Sequence, residues 1–208
     1  MLLSKLICDL EYKSIKNEAD VEITGVCYDS RLLSGGELFV CVPGYETDGH
    51  NFVRDAVKRN AAAILSEKDV DADGIPVIIV EDTRAALAAV SAAFYGYPAR
   101  ELRIIGVTGT NGKTTVTYMI KNRLEHCGYK VGLLGTVKNI IGDEVYASDM
   151  TTPEAPEIHR MLRKMADEKV NYAVMEVSSH ALALKRVGPH RRLLPKATLR
   201  PRPLSPLL

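Results

Sequence analysis

RIIGVTGTNGKTT (residues 103–115) passes from an apolar strand pattern through glycine into a hydroxyl-rich segment with helical spacing. RIIGVTG reads as a short strand over 103–109, and Lys113 to Cys127 as a helix stopped by Gly128. Between them lies Gly109-Thr110-Asn111-Gly112-Lys113-Thr114-Thr115. Glycines let backbone amides close around phosphate oxygens without a Cβ in the way. The helix N-terminus adds free N–H groups and a partial positive charge. Lys113 is spaced to reach β- and γ-phosphates, and the hydroxyl of Thr114 or Thr115 to bind magnesium. The residue five before Gly112 is Val107, so this is a variant of the GxxxxGK[ST] loop rather than a copy of it.

Downstream, KVGLLGT (130–136) reads as the next strand and 137–150 as an irregular hairpin around Gly142-Asp143. Pro153 to Lys169 reads as a helix with Thr152 as N-cap and proline in its first turn. NYAVMEVSS (171–179) is a further buried strand. Strand–helix–strand–helix–strand order implies a parallel sheet with right-handed crossovers. Glu176 falls near the C-terminal end of the last strand, where ligands gather in open α/β sheets. A carboxylate in so apolar a run is costly to bury unpaired, which favours a metal-binding role.

Upstream, GELFVCV (36–42) reads as a strand ending at Pro43-Gly44, and 51–60 as a helix. AAAILS (61–66) and IPVIIV (75–80) read as buried strands, and Thr83 to Tyr95 as an alanine-rich helix capped by Asp82. Gly96-Tyr97-Pro98 stops it, and Tyr97 to Arg100 is the expected boundary. The fold class expected is therefore α/β: an N-terminal α/β unit over 1–98, then an incomplete P-loop parallel-sheet unit over 99–187, then a tail over 188–208.

At 46% hydrophobic and 25% charged, the chain has globular rather than disordered composition. Its net charge of +1 hides a break. Lys185 to Leu208 carries seven Lys/Arg and no acid, leaving 20 basic and 26 acidic residues in 1–184, a net of −6. The tail has no aromatic residue for base stacking, so no nucleic-acid partner is expected. Cys8, Cys27, Cys41 and Cys127 form no CxxC pair, and a reduced, cytoplasmic setting fits them. Neither a signal peptide nor a membrane span is expected. His50, His126, His159, His180 and His190 show no ligand spacing; most read as surface or capping residues, with His180 a candidate for a site role. No GxSxG surrounds Ser178-Ser179-His180, so it is not a nucleophile elbow.

GTNGKTT resembles the ATP loop of the Mur ligases, which build the peptide of bacterial cell-wall precursors. Four further segments narrow the resemblance to the UDP-N-acetylmuramoyl-tripeptide synthetase type. These are Asp29-Ser30-Arg31, the run PGYETDGHNF (43–52), TTPE at Thr151–Glu154, and MEVSSHAL (175–182) with Arg186 beyond it. The resemblance implies an N-terminal uridine-nucleotide domain and a central ATP-binding domain. It implies that Ser30, Tyr45, Glu46 and Thr47 line the nucleotide site, and that Thr151, Thr152, Ser178 and Arg186 hold the muramoyl-peptide. ATP is bound by residues 109–115 and magnesium by Thr114, Thr115 and Glu176, with Lys113 and Glu176 catalytic. The implied reaction adds meso-diaminopimelate or L-lysine to UDP-N-acetylmuramoyl-L-alanyl-D-glutamate through an acyl phosphate. A bacterial, cytoplasmic monomer without membrane or nucleic-acid partners is implied.

Family members are longer, continuing into a further strand, a carbamylated metal-binding lysine and a C-terminal domain for the incoming amino acid. Here the match gives way after Val187 to GPHRRLLPKATLRPRPLSPLL, which reads as out of frame. The chain is accordingly expected to be an N-terminal fragment, inactive alone. Two other readings stand beside this one. One is a different P-loop ligase, such as a folylpolyglutamate-synthase relative, against which the DSR and DGH segments speak. The other is a non-catalytic remnant that only binds nucleotide.

Overall fold

The computed structural model describes residues 1–44, 47–148 and 150–188. They form two five-stranded sheets. The first holds β1 (Ser14–Lys16), β2 (Val26–Cys27), β3 (Leu38–Val40), β4 (Ala63–Ser66) and β5 (Val77–Ile79), in the order β1-β5-β4-β3-β2. β2 to β5 pair in parallel, and β1 lies antiparallel on β5. The apolar runs reflect burial on both faces. Leu38, Val40, Leu65 and Ile78 pack towards α1 (Leu3–Leu6) and α3 (Thr83–Phe94). Phe39, Ile64 and Val77 pack towards α2 (Val53–Lys58). Asp82 caps α3 as expected, accepting from the Ala85 amide at 2.9 Å. The helix expected over 51–60 starts instead as a 3-10 turn at Gly49–Phe52 and is regular only through α2.

The second sheet holds β6 (Arg103–Val107), β7 (Val131–Leu134), β8 (Lys138–Ile141), β9 (Glu144–Ala147) and β10 (Tyr172–Glu176), ordered β6-β10-β7-β8-β9. β6, β10 and β7 are parallel, as expected. The segment expected to be irregular is a regular antiparallel hairpin, β8–β9, and it extends the sheet beyond three strands. Alternation of Lys138, Asn139, Ile140 and Ile141 between the faces lets β8 pair on β7. α4 (Lys113–His126) covers one face through Tyr118 and Leu124, and α5 (Ala155–Asp167) covers the other through Ile158, Leu162 and Met165. A short α6 (Ser179–Ala183), which the sequence reading lacked, follows β10.

The strand order positions the site. The chain leaves β6 through α4, skips one place to β7, and returns through α5 to fill the gap with β10. The C-terminal end of β10 therefore lies between the loop after β6 and the loop after β7. α5 also packs on α3, and its Ala155 joins the core of the first sheet, so the two sheets share a seam.

Thr152 is not the N-cap of α5. The helix starts at Ala155, with Glu154 in the cap position and Pro156 in the first turn. The Thr152 hydroxyl is engaged elsewhere, as described next. His50 and His159, expected at the surface, are buried at 8% and 2% exposure. The tail and His190 lie outside the described residues, apart from Gly188.

Candidate active site

The loop from Gly109 to Gly112 is exposed and leads straight into α4. Gly112 sits in the N-cap position with φ +78°, a left-handed conformation that L side chains rarely adopt. It offers no capping side chain. The first amides of any helix lack intrahelical partners, so here they face an open loop. The Lys113 ammonium folds back onto the loop, 2.9 Å from the Gly109 carbonyl and 3.5 Å from that of Thr110. Asn111 and Thr115 stand exposed on the same turn.

Facing this loop, Glu176 ends β10 at 1% exposure. Its Oε1 accepts from the Thr136 amide at 3.0 Å, and its Oε2 from the hydroxyls of Thr114 and Thr136, each at 3.0 Å. Thr151 Oγ1 lies 3.1 Å from Thr136 Oγ1. Since the Thr136 proton goes to the carboxylate, Thr151 donates to Thr136. Thr114 and Thr136 thus meet on one buried carboxylate from two different segments, and Thr151 joins them through Thr136. Gly135 permits the approach, because a Cβ there would stand 2.5 Å from Glu176 Oε1.

Thr152 ties the same strand end together. Its hydroxyl donates to the Glu176 carbonyl at 2.9 Å and accepts from the Ser178 amide at 3.0 Å. Ser178 in turn caps α6, accepting from the Ala181 amide. Arg186 donates to the Thr152 carbonyl at 3.0 Å and pairs with Glu154 at 2.8 Å, both side chains largely buried. His180, by contrast, is exposed on α6.

Ser30 is buried at the end of the first sheet, held in a knot made by its neighbours. Asp29 accepts from the Arg31 amide and from its guanidinium at 2.7–3.2 Å. Those side-chain bonds hold the Asp29 carboxyl below the usual range. Thr47 is exposed, with its carbonyl accepting from the Gly44 amide, while Tyr45 and Glu46 lie outside the described residues. A cavity of about 610 Å³ opens at the seam between the sheets. Tyr28 of the first unit meets Met150, Pro153, Glu157 and Arg160 of the second there. Burial pushes the Glu157 carboxyl up, and burial with the nearby Glu157 and Glu154 charges pushes the Tyr28 phenol above its usual range.

The expected site residues fall into three groups. Thr114, Glu176 and Thr151 meet through Thr136, and Thr152, Ser178 and Arg186 meet around the end of β10. Ser30 and Thr47 belong to the first unit, outside its strands. Thr115 makes no hydrogen bond to the Glu176 carboxylate, which is held by Thr114 and Thr136. The sequence reading gave Gly135 and Thr136 no site role and named Glu154 only as the end of the TTPE segment. The signal for the first two was the polar ending of the KVGLLGT strand.

The model of the Mur ligase family catalytic domain matches residues 22–95, and that of the Mur ligase middle domain matches 107–192. The chain belongs to the Mur ligase family. Among curated Mur ligases, a UDP-N-acetylmuramoyl-L-alanyl-D-glutamate–2,6-diaminopimelate ligase of Alkaliphilus metalliredigens is 47% identical over 189 residues. That match takes in 90% of this chain and 38% of the relative. The Clostridium botulinum ligase of the same name is 49% identical, over 90% of this chain and 39% of its own length. The chain thus spans about two fifths of the length of these Mur ligases. A solved 2,6-diaminopimelate ligase of this name superposes with a TM-score of 0.67 at 27% identity, covering 79% of this chain and 34% of that one. MurF from Acinetobacter baumannii shares the fold, with a TM-score of 0.61 at 24% identity over 85% of this chain and 35% of its own.

Proposed function

We propose that this chain carries the nucleotide-substrate and ATP-binding part of a ligase that joins 2,6-diaminopimelate to UDP-N-acetylmuramoyl-L-alanyl-D-glutamate. The observation that carries this reading is the buried Glu176 carboxylate, ringed by threonine hydroxyls and facing a phosphate-type loop. The names of the relatives support the choice of 2,6-diaminopimelate over lysine. Four free cysteines suit the reducing cytoplasm proposed as its setting. No helix among the described residues is long and apolar enough to cross a membrane.

The residues present fit magnesium and ATP. Magnesium takes oxygen ligands and is commonly held by one or two carboxylates together with substrate phosphates. Glu176 and Thr114 supply an all-oxygen pair of that kind, with Thr115 the further hydroxyl on the same turn. Magnesium bound there would neutralise phosphate charge. Residues 109–112 and the first amides of α4 would bind the phosphates of ATP, and Lys113 would swing from the Gly109 carbonyl onto them. The muramoyl-peptide would run from Ser30 and residues 45–47, past Thr151 and Thr152, to Ser178 and Arg186. Arg186 suits a carboxylate, since guanidinium pairs with it bidentately. Phosphoryl transfer from ATP to the terminal carboxylate releases ADP. The amine of the diamino acid then displaces phosphate and forms the amide. The chain's own part in this is positioning and charge stabilisation.

The test is calorimetric titration of UDP-N-acetylmuramoyl-L-alanyl-D-glutamate into the 208-residue chain, with Ser30→Ala as control. Saturable binding that weakens in the variant is expected. A folded chain that binds no muramoyl-peptide overturns the reading.

A further inference from the structure

The DGH segment is not used by the chemistry above, yet it forms a well-bonded polar cluster in the first unit. His50 has only 4% of its side chain exposed. Its Nε2 lies 3.1 Å from the Glu67 amide, and its Nδ1 bonds to Asp48 Oδ1. A backbone amide can only donate, so Nε2 accepts, and the ring proton sits on Nδ1 facing Asp48. Asp48 also accepts from the His50 amide at 3.0 Å and from Lys68 at 3.1 Å. The Glu67 carboxylate continues the chain, accepting from both the amide and the hydroxyl of Thr83 at 2.9 Å.

These bonds reach one end of the loop that contains Tyr45, Glu46 and Thr47. The other end is held from the same place, because Arg84 donates to the Pro43 carbonyl at 2.7 Å. Pro43 and Asp48 pair across the loop base, and the Gly44 amide bonds to the Thr47 carbonyl at 2.9 Å. Both ends of the loop are therefore fastened to the first turn of α3: Pro43 directly through Arg84, and Asp48 through His50, Glu67 and Thr83. Asp82, which caps that turn, forms an ion pair with Lys185, next to Arg186 in the second unit.

We propose that His50 is a positioning residue for the nucleotide end of the muramoyl substrate, its imidazole tying Asp48, at one end of that loop, through Glu67 to the first turn of α3. This rests on the functional reading above, since the loop matters for binding only if uridine nucleotide is the ligand. Preorganisation is where such a residue acts: a loop whose ends are already fixed loses less entropy when the ligand arrives.

The experiment compares wild type, His50→Ala and His50→Gln, titrating each with UDP-N-acetylmuramoyl-L-alanyl-D-glutamate and separately with magnesium-ADP. Glutamine keeps an acceptor for the Glu67 amide; alanine keeps nothing. His50→Ala is expected to weaken muramoyl-nucleotide binding about tenfold or more and to leave ADP binding within about twofold. His50→Gln is expected to recover a substantial part of the loss. Amide hydrogen exchange should quicken at Gly44 and Gly49 in the alanine variant, whose bonds close the loop base. Wild-type muramoyl-nucleotide affinity in His50→Ala overturns the proposal. So does an equal loss for ADP, which marks general loosening. If wild type itself binds no uridine nucleotide, the functional reading falls and this proposal with it. The exchange result then reports separately whether His50 fastens the loop.

Discussion

The two sheets of this molecule are held together differently. In the first, every residue of β3 and β4 is buried, and apolar cores lie against both faces. In the second, β6 has no buried residue and, among the described residues, no partner on its outer side. α4 buries only Thr117 and leaves Val116 and Met119 at 42% and 66% exposure. Yet it is β6 and α4 that carry the phosphate-type loop. The first unit is held by packing, while the loop end of the second is held by polar bonds around one carboxylate. Stability and ligand binding should accordingly respond to different substitutions.

The largest expected effect comes from the packed sheet. Ile64 is fully buried in β4. Its replacement by alanine should cost about 2–5 kcal/mol, from lost transfer energy and the cavity left behind. Ile105→Ala in half-exposed β6 should cost about 1 kcal/mol, because fewer neighbours lose contact. Urea unfolding followed by circular dichroism measures both. Equal losses would break the comparison, showing β6 as firmly held as β4.

The next effect reverses the pattern. Among the described residues, the Lys113 ammonium bonds only to carbonyls of its own loop. Lys113→Ala should change the unfolding free energy by no more than about 0.5 kcal/mol. It should weaken magnesium-ADP binding by about 10–100-fold, the range of a charge-assisted bond to phosphate. A large stability loss with intact ADP binding would place Lys113 among packing residues instead.

This division also marks what could be read from the chain. The strands β3 to β5 were legible because burial on both faces demands unbroken apolar runs. The turn from β6 into α4 was legible because GTNGKTT sets glycines between an apolar run and a helical pattern. β1 was not legible, since an exposed three-residue edge strand, Ser14–Lys16, has no apolar pattern to betray it. Thr152 was misplaced because threonine before proline fits a helix cap locally; only the return of β10 beside it shows that its hydroxyl serves Glu176 and Ser178. The partnership of Thr136 with Glu176 depends on strand order, and forty residues separate the two. His50 and Glu67 likewise meet only once β3 and β4 are paired. Polar contacts across strands carry no local periodicity, which is why the site was legible as motifs but not as a constellation.

Glu176 combines both kinds of behaviour. It is as buried as the core, yet held by three hydrogen bonds. Glu176→Gln places an NH₂ group against donors, leaving buried polar groups unsatisfied at a cost of about 1–3 kcal/mol. In the same variant, ADP affinity should lose its dependence on magnesium. Titration with and without magnesium, alongside urea unfolding, reads both. A variant as stable as wild type that still requires magnesium would remove Glu176 from the metal site and sharpen the boundary between the units.

The smallest effect tests the seam, where the two kinds of region meet. Glu157 of α5 faces Tyr28 of the first unit, and burial raises its carboxyl above the ordinary glutamate value. A raised carboxyl means that the folded state binds its proton more tightly than the unfolded state does. The stability this gives is complete below the ordinary glutamate range and is lost as pH rises through the folded value. Glu157→Gln removes the titration while keeping the shape. Melting temperatures from pH 4 to pH 8 should therefore coincide for variant and wild type at the acid end. Towards neutrality the variant should become the more stable, because only wild type must bury a charge there. If the gap opens in the acid direction, the carboxylate is better held when ionised, and the seam is stabilised by polar bonds like the phosphate-loop end rather than by burial like the first sheet.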